Sequence, residues 1–315
     1  MTPVGLRVDV AVVTYRRAGY IAELVPHLLA QAGELEAGLP GTHCGVIVVD
    51  NDPHASAREI VARFPAVRYV VEPQPGIAAA RNRALDEARD SDLLAFVDDD
   101  GRPEAGWLVA LVRLQAAAGA AAVAGAVVPS FLGPAPTWLV AGRFFVRSRH
   151  PTGTAVAAAA TNNLLLDLRV IRAWGLRFDP RLGLTGGEDT HFTRSITARG
   201  GTIVWSDEAV VSDLVLPERM SRRWLLRRGY SGGNGDVRAA VILAAGRRGR
   251  ARARARYLLR GSVRVAAGLA RTALGVVCRR PHHRELGWWT AVRGAGMVTG
   301  ALGHDYQEYR RSPSR

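Results

Sequence analysis

No lysine occurs anywhere in the 315 residues, so all 42 basic side chains are arginine. Cysteine appears only twice, at Cys44 and Cys278. Two thiols so far apart, with no Cys-x-x-Cys spacing, exclude a disulfide scaffold, a zinc knuckle and a redox pair, and they fit a reducing compartment. Long apolar runs are missing too. The best stretch, Tyr257 to Val277, contains Arg260, Arg264 and Arg271, which excludes a spanning helix of about 18 or more uncharged residues. Met1 to Tyr15 is interrupted by Arg7 and Asp9 and is too short and alternating for a signal-peptide core, so a cytosolic protein is expected. Acidic residues are scarce in the last hundred positions. Residues 1–215 hold 20 Arg against 23 Asp and Glu, whereas residues 216–315 hold 22 against 5, a net charge of +17. The basicity belongs to the C-terminal part, and it points to an anionic partner such as lipid headgroups, diphosphates or nucleic acid.

What is present in quantity is apolar sequence, 48% of the chain, enough for a full core and too much for a disordered protein. Short Val/Ile runs alternate with longer Ala/Leu/Arg stretches of helical period, the pattern of β-α units around a largely parallel sheet. Strands are expected at Val8–Val13, Val46–Val49, Val67–Val71 and Leu93–Val97, with helices at Ile21–Gln31 and Ile77–Ala88. Each strand ends in polar residues: Thr14-Tyr15-Arg16, Asp50-Asn51-Asp52, Glu72-Pro73-Gln74 and Asp98-Asp99-Asp100. Ligands bind at the carboxyl ends of strands in such sheets, so the four clusters should converge on one site. Further strands are expected at Ala122–Val128, Ala159–Leu166 and Thr202–Trp205, with a loop over Pro129–Pro136. After Pro217 the chain reads as Arg-rich helix with glycine breaks at Gly229–Gly235 and Gly246–Gly249. The expected division is a catalytic domain over 1–215 and an Arg-rich helical region over 216–315.

Three segments carry the chemistry. Asp98-Asp99-Asp100 follows a buried strand, and the mutual repulsion of three carboxylates is most simply offset by a divalent cation, Mg²⁺ or Mn²⁺, able to bridge to a diphosphate. A solvated acidic turn is the bland alternative. Gly186-Gly187-Glu188-Asp189 places two carboxylates ahead of a helical stretch, where one can act as a general base or either can simply cap the helix. Gly76 to Asn82 opens a helix of small residues, which permits close backbone approach, and Arg81 could pair with the aspartates or with phosphates.

Taken in this order and at these separations, Asp50-Asn51-Asp52, Gly76 to Asn82, Asp98-Asp99-Asp100 and Gly186 to Asp189 resemble family 2 glycosyltransferases. The segments are similar to those of bacterial glucosyltransferases of the succinoglycan exopolysaccharide type. The resemblance covers residues 8 to about 230. It implies a GT-A fold, a Rossmann-like, mostly parallel α/β sheet flanked by helices, here with an Arg-rich helical extension. By position it implies that Thr14 and Tyr15 line a base pocket and that Asp50 or Asp52 bonds uracil or ribose. Gly76 and Arg81 would belong to the donor site. Asp98 to Asp100 would form the Asp-x-Asp element, with Asp100 on the metal, Asp99 on the ribose and Asp98 as a second metal ligand. Asp189 matches the catalytic base, beside Glu188. Met220-Ser221-Arg222-Arg223-Trp224 looks like the Gln-x-x-Arg-Trp element of processive members, which implies that Arg223 and Trp224 face the donor. Met220 stands where the glutamine should be, and this argues for transfer of a single sugar.

The implied reaction is inverting transfer of one sugar from a nucleoside-diphosphate sugar, UDP-linked in expectation, to a hydroxyl of a saccharide or lipid-linked saccharide. A soluble small-molecule acceptor is the alternative within the class. A nucleotidyltransferase would show a glycine-rich loop after the first strand, where Thr14-Tyr15-Arg16-Arg17 stands instead. Nucleic-acid binding by the Arg247 to Arg260 run lacks stacking aromatics, since only Tyr257 lies there, and is not expected. In the tail, Arg256, Arg260, Arg264 and Arg271 fall on one helical stripe and Leu258, Val265, Leu269, Ala273 and Val276 largely on another. That arrangement predicts peripheral attachment to an anionic membrane surface, on its inner face. An ordinary domain helix is the alternative.

Overall fold

The computed structural model describes residues 5–306. Residues 1–4 and 307–315, the outer ends of the two expected regions, lie outside the described residues. The strands are β1 (Arg7–Thr14), β2 (His43–Asp50), β3 (Val67–Val71), β4 (Leu93–Asp98), β5 (Gly101–Pro103), β6 (Ala122–Phe131), β7 (Asn163–Asp167) and β8 (Ile203–Val215). The helices are α1 (Ala18–Gly38), α2 (Arg58–Val61), α3 (Ile77–Glu87), α4 (Trp107–Ala118), α5 (Thr137–Gly142), α6 (Leu168–Ala173), α7 (Glu188–Ala198), α8 (Arg222–Leu243), α9 (Gly246–Val277) and α10 (Pro281–Ala301). They form two compact units. One comprises Met1–Val128, Arg147–Gly183 and Phe192–Leu214, and the other Pro129–Val146, Leu184–His191 and Val215–Arg315.

The first unit holds an eight-stranded sheet in the order β3-β2-β1-β4-β7-β6-β8-β5. Its first four strands are parallel, and β7 enters antiparallel to both β4 and β6. Strands buried on both faces are mostly apolar, which is why β2, β4 and β1 from Val10 on read as apolar runs without alternation; the buried Asp9 of β1 accepts from the Ser91 hydroxyl at 2.6 Å. Val8, Val10 and Val12 face a core closed by Ile21, Leu24 and Leu28 of α1 and Trp107 and Leu111 of α4. On the other face, Ala11 meets Ala78, Ala80 and Ala84 of α3, with Phe178, Phe192 and Ile196. Alanines on α3 let that helix lie close to the sheet.

Several strands differ from the sequence reading, and the strand expected over Ala159–Leu166 begins only at Asn163, as β7. The expected short strand at Thr202–Trp205 continues as β8 to Val215, its central part alternating buried and part-exposed residues. β5 was not foreseen: Gly101, Arg102 and Pro103 pair antiparallel with Asp213, Ser212 and Val211. This pairing turns the chain sharply after the aspartates.

In the second unit, the glycine run from Gly229 to Gly235 is not a break. It lies inside the continuous helix α8, because the missing side chains make room for α10 rather than for a turn. Trp289 of α10 sits over Gly229, and the Arg293 carbonyl lies against Gly233. The same device joins α9 to α10. A Cβ on Gly268 would lie 2.7 Å from the Gly287 carbonyl oxygen, and one on Gly294 2.7 Å from that of Gly261. Gly261, Gly268 and Gly275 recur every seven residues and form one seam. Gly296 and Gly300, spaced by four, let Tyr230 and Asn234 of α8 approach α10 in the same way.

Candidate active site

Strand order locates the site before any side chain is considered. From β1 the chain passes to β2 on one side, while β4 lies on the other. The carboxyl ends of β1 and β4 therefore flank a topological switch point, where a crevice opens in sheets of this kind. Thr14 ends β1 and Asp98 ends β4, with Val13 paired to Asp98 in register.

The four expected clusters converge here. The Thr14 hydroxyl donates to Asp99 Oδ2 at 2.9 Å. Arg17 Nη1 donates to Asp99 Oδ1 at 2.8 Å and to Asp100 Oδ2 at 3.3 Å. Arg16 Nε donates to Asp52 Oδ2 at 3.1 Å. Asn51 binds the remaining ends together, donating through Nδ2 to the carbonyls of Glu72 and Gln74 and accepting from the Gly76 N–H at 3.0 Å. Gly76 needs to be glycine: its φ is +119°, and a Cβ would meet the Gly183 backbone at 3.1 Å.

The expected residues play unequal parts. Asp50 is fully buried, and its oxygens accept from the Asp52 and Ala57 N–H groups and the Tyr69 hydroxyl. It organises the loop after β2. Asp52 is buried as well; burial alone would raise its carboxyl, but the His54 N–H and the Arg16 guanidinium hold it below the usual range. Asp99 goes the other way, pushed up to about 6 by burial and by the charge of Asp100, against the pull of Arg17 and Thr14. Asp98 is the open carboxylate of the three, its side chain 45% exposed, with Arg81 Nη2 at 3.5 Å. Arg81 is buried and also lies over the Phe178 ring at 5.7 Å. Tyr15 is partly exposed, with Arg16 over its ring.

The sequence reading made a divalent cation the counter-charge of the three aspartates. In the structure the chain supplies counter-charge itself, through Arg17 and Arg81. Arg17 was not singled out; the signal was its place beside a strand end, next to Arg16, whose φ of +55° is unusual for a side-chain-bearing residue. Among the described residues no group of three or more His, Cys, Asp or Glu forms a complete metal cage. One or two hard carboxylates, Asp98 and Asp100, are nonetheless what Mg²⁺ or Mn²⁺ takes from a protein when phosphate oxygens and water fill the other positions.

In the second unit, Gly186 and Gly187 both have positive φ and lead into α7. A Cβ on Gly187 would come within 3.0 Å of the Gly235 carbonyl oxygen. Asp189 is partly exposed and its Oδ1 accepts from the Thr190 N–H at 2.6 Å, whereas Glu188 is buried. Both carboxylates lie in the first turn of α7. Further along, Arg223 is exposed. Trp224 stacks on Phe145 at 5.8 Å. Their neighbour Arg222 is the more engaged, lying 4.6 Å over the Trp138 ring and donating to the buried Glu285 at 2.9 Å. Asn163 is a packing residue, linking Trp107 Nε1 to the carbonyls of Ala126 and Ala209.

An acidic turn at the switch point of a sheet extended by antiparallel strands is the GT-A arrangement of sugar-transferring enzymes, and the chain belongs to that class: the profile of Glycosyl transferase family 2 matches residues 9–171. It is a glycosyltransferase. Among curated proteins it is similar to the Succinoglycan biosynthesis protein ExoM of Rhizobium meliloti, 36% identical over 248 residues, which are 77% of this chain and 78% of that protein. Among solved structures it is similar to S. aureus TarS 1-349, with a TM-score of 0.52 and 14% identity over 90% of each chain. The same protein in complex with UDP matches with a TM-score of 0.51 and 16% identity over 98% of this chain and 95% of that one. At such identity the likeness concerns the fold.

Proposed function

We propose that the protein transfers a single sugar, with inversion, from a UDP-sugar to a hydroxyl of a lipid-linked saccharide during exopolysaccharide assembly, working in the cytoplasm at the membrane's inner face. The observation that carries this reading is the Asp98-Asp99-Asp100 turn tied to Thr14 and Arg17 at the switch point. The likeness to a succinoglycan biosynthesis protein supports a place in exopolysaccharide assembly, and the UDP complex of a fold neighbour supports the donor.

In the proposed reaction Asp189 takes the proton of the acceptor hydroxyl as its oxygen bonds to the anomeric carbon. The bond from that carbon to the diphosphate breaks, and its electrons leave with UDP. Displacement from the opposite face by one base inverts the centre. Asp100, with Asp98, would hold Mg²⁺ or Mn²⁺, which supplies positive charge to the departing diphosphate. Asp99, linked to Thr14, orients the ribose, while Arg81 and Arg223 face the phosphates. Asp52 and Tyr15 border the base, and Asp50 and Gly76 shape the loops that hold them. Trp224 positions the start of α8.

A thermal-shift screen of UDP and UDP-sugars, with and without Mn²⁺, tests the reading, because a ligand that binds the folded state raises its apparent stability. UDP should raise the melting temperature only with metal, and Asp100→Asn should abolish that metal-dependent part. Equal stabilisation with chelator would remove the metal from the mechanism.

A further inference from the structure

No acidic residue occurs from Val237 to Arg284, and α9 lies within that stretch. The two ends of α9 differ. Its first part exposes Arg247, Arg248, Arg250, Arg252, Arg254 and Arg256. Beyond Arg260, the charged stripe expected from sequence is not on the outer face. Arg264 and Arg271 flank the glycine seam against α10, where Arg271 Nε donates to His283 Nδ1 at 3.3 Å. Burial, together with the nearby charges of Arg293 and Arg260, lowers the pKa of Arg264.

What faces outward instead is apolar. Leu259 is 67% exposed, Val263 58%, Leu274 54% and Val277 80%. At 100° per residue they lie on the side of α9 opposite Gly261, Gly268 and Gly275. Alanines at positions 266, 270 and 273 fill the gaps between them. Beyond Arg260 this outer face carries no charge until Arg279 and Arg280, which are exposed just past the end of the helix. A contiguous exposed apolar face of this kind needs an occupant. Arginine-rich ends on an acid-free segment select an anionic one whose interior is apolar. No helix among the described residues is long and apolar enough to cross a membrane, and α10 covers the other side of α9.

We propose that the outer face of α9 is the membrane-docking surface, lying in the plane of an anionic phospholipid bilayer. Leu259, Val263, Leu274 and Val277 enter the acyl boundary, and the arginines at both ends engage headgroup phosphates. This rests on the proposed membrane location and names the surface that achieves it. The glycine seam keeps α9 attached to α10, so the apolar face is presented without unfolding.

Flotation of the full chain with vesicles of one part phosphatidylglycerol to two parts phosphatidylcholine tests the proposal, with pure phosphatidylcholine vesicles as control. Binding should favour the anionic vesicles and fall by roughly tenfold or more as salt rises from low to high, as expected when several arginines sit near the surface. Replacing Leu259, Val263, Leu274 and Val277 with Gln should remove most binding while the melting temperature stays put, since the four side chains are exposed. Replacing Arg247, Arg248, Arg250, Arg252 and Arg254 with Gln should remove the anionic preference. UDP binding, measured separately, should survive both sets, so loss of docking and failure of the donor reading are distinguishable. The proposal is overturned if the wild type ignores anionic vesicles at low salt, or if the apolar variants float as well as it does. It is also overturned if light scattering shows a dimer that the apolar variants dissolve without any vesicle binding, or if the chain retains duplex DNA but not vesicles.

Discussion

Replacing Arg17 with Met keeps a long apolar stem and removes the cation that spans Asp99 and Asp100. Both carboxylates are buried, and an unpaired buried charge costs about 3–5 kcal/mol. The Arg17 side chain is 39% exposed, so solvent screens part of the pairing and about 1–3 kcal/mol is the reasonable loss. For a protein of this size that is a fall in melting temperature of roughly 1.5–4.5 °C. The loss should also depend on pH. Asp99 titrates at about 6 in the folded chain, above its ordinary value, so the folded state takes up its proton more readily than the unfolded one. Ionising Asp99 therefore costs stability as pH climbs from the ordinary carboxylate range through 6. Without Arg17 that cost grows, because the ionised form has lost its partner. The variant should be destabilised most at pH 8 and less than half as much at pH 5, where Asp99 is largely protonated with or without Arg17. Differential scanning fluorimetry in chelator, at both pH values, measures it. An equal loss at pH 5 and pH 8 would refute the reasoning for Asp99 and leave the packing of the side chain and its pairing with Asp100.

Gly187→Ala forces a side chain into a positive-φ turn and against the Gly235 carbonyl; it should lower stability by about 1–3 kcal/mol and slow sugar transfer, both read on the purified variant. Asp50→Ala leaves two N–H groups and the Tyr69 hydroxyl without their acceptor. A loss of about 2–4 kcal/mol follows, and unchanged thermal unfolding would contradict the role given to Asp50 in ordering the loop after β2.

The parallel half of the sheet was legible because β1, β2 and β4 are buried on both faces, and burial leaves an unbroken apolar run that no surface strand shows. The polar strand ends were legible for the same reason: they begin where burial stops. What the pattern could not show was pairing between distant segments. β5 consists of three residues, Gly101, Arg102 and Pro103, with no strand signal of their own, and exists because β8 supplies a partner. Glycine misled in α8 and informed at Gly76. In a single sequence a missing side chain reads as freedom to turn, and only the neighbouring Trp289 and Arg293 carbonyl reveal it as room for a helix. Arg264 and Arg271 shared a stripe with Arg256 and Arg260 on a helical projection, yet α10 covers the first two and leaves the others in water. Arg17 escaped notice because a counter-charge supplied from another strand end has no local motif.

Under the proposed reaction, UDP-sugar turnover depends on Asp189 as the base. UDP binding and UDP formation, measured side by side on the wild type, Asp189→Asn and Glu188→Gln with donor, Mn²⁺ and a lipid-linked acceptor, separate binding from chemistry. Asp189→Asn should bind UDP as the wild type does but form UDP from the donor on the order of 10² to 10⁴ times more slowly, while Glu188→Gln keeps substantial turnover. An active Asp189→Asn beside a dead Glu188→Gln would contradict the account.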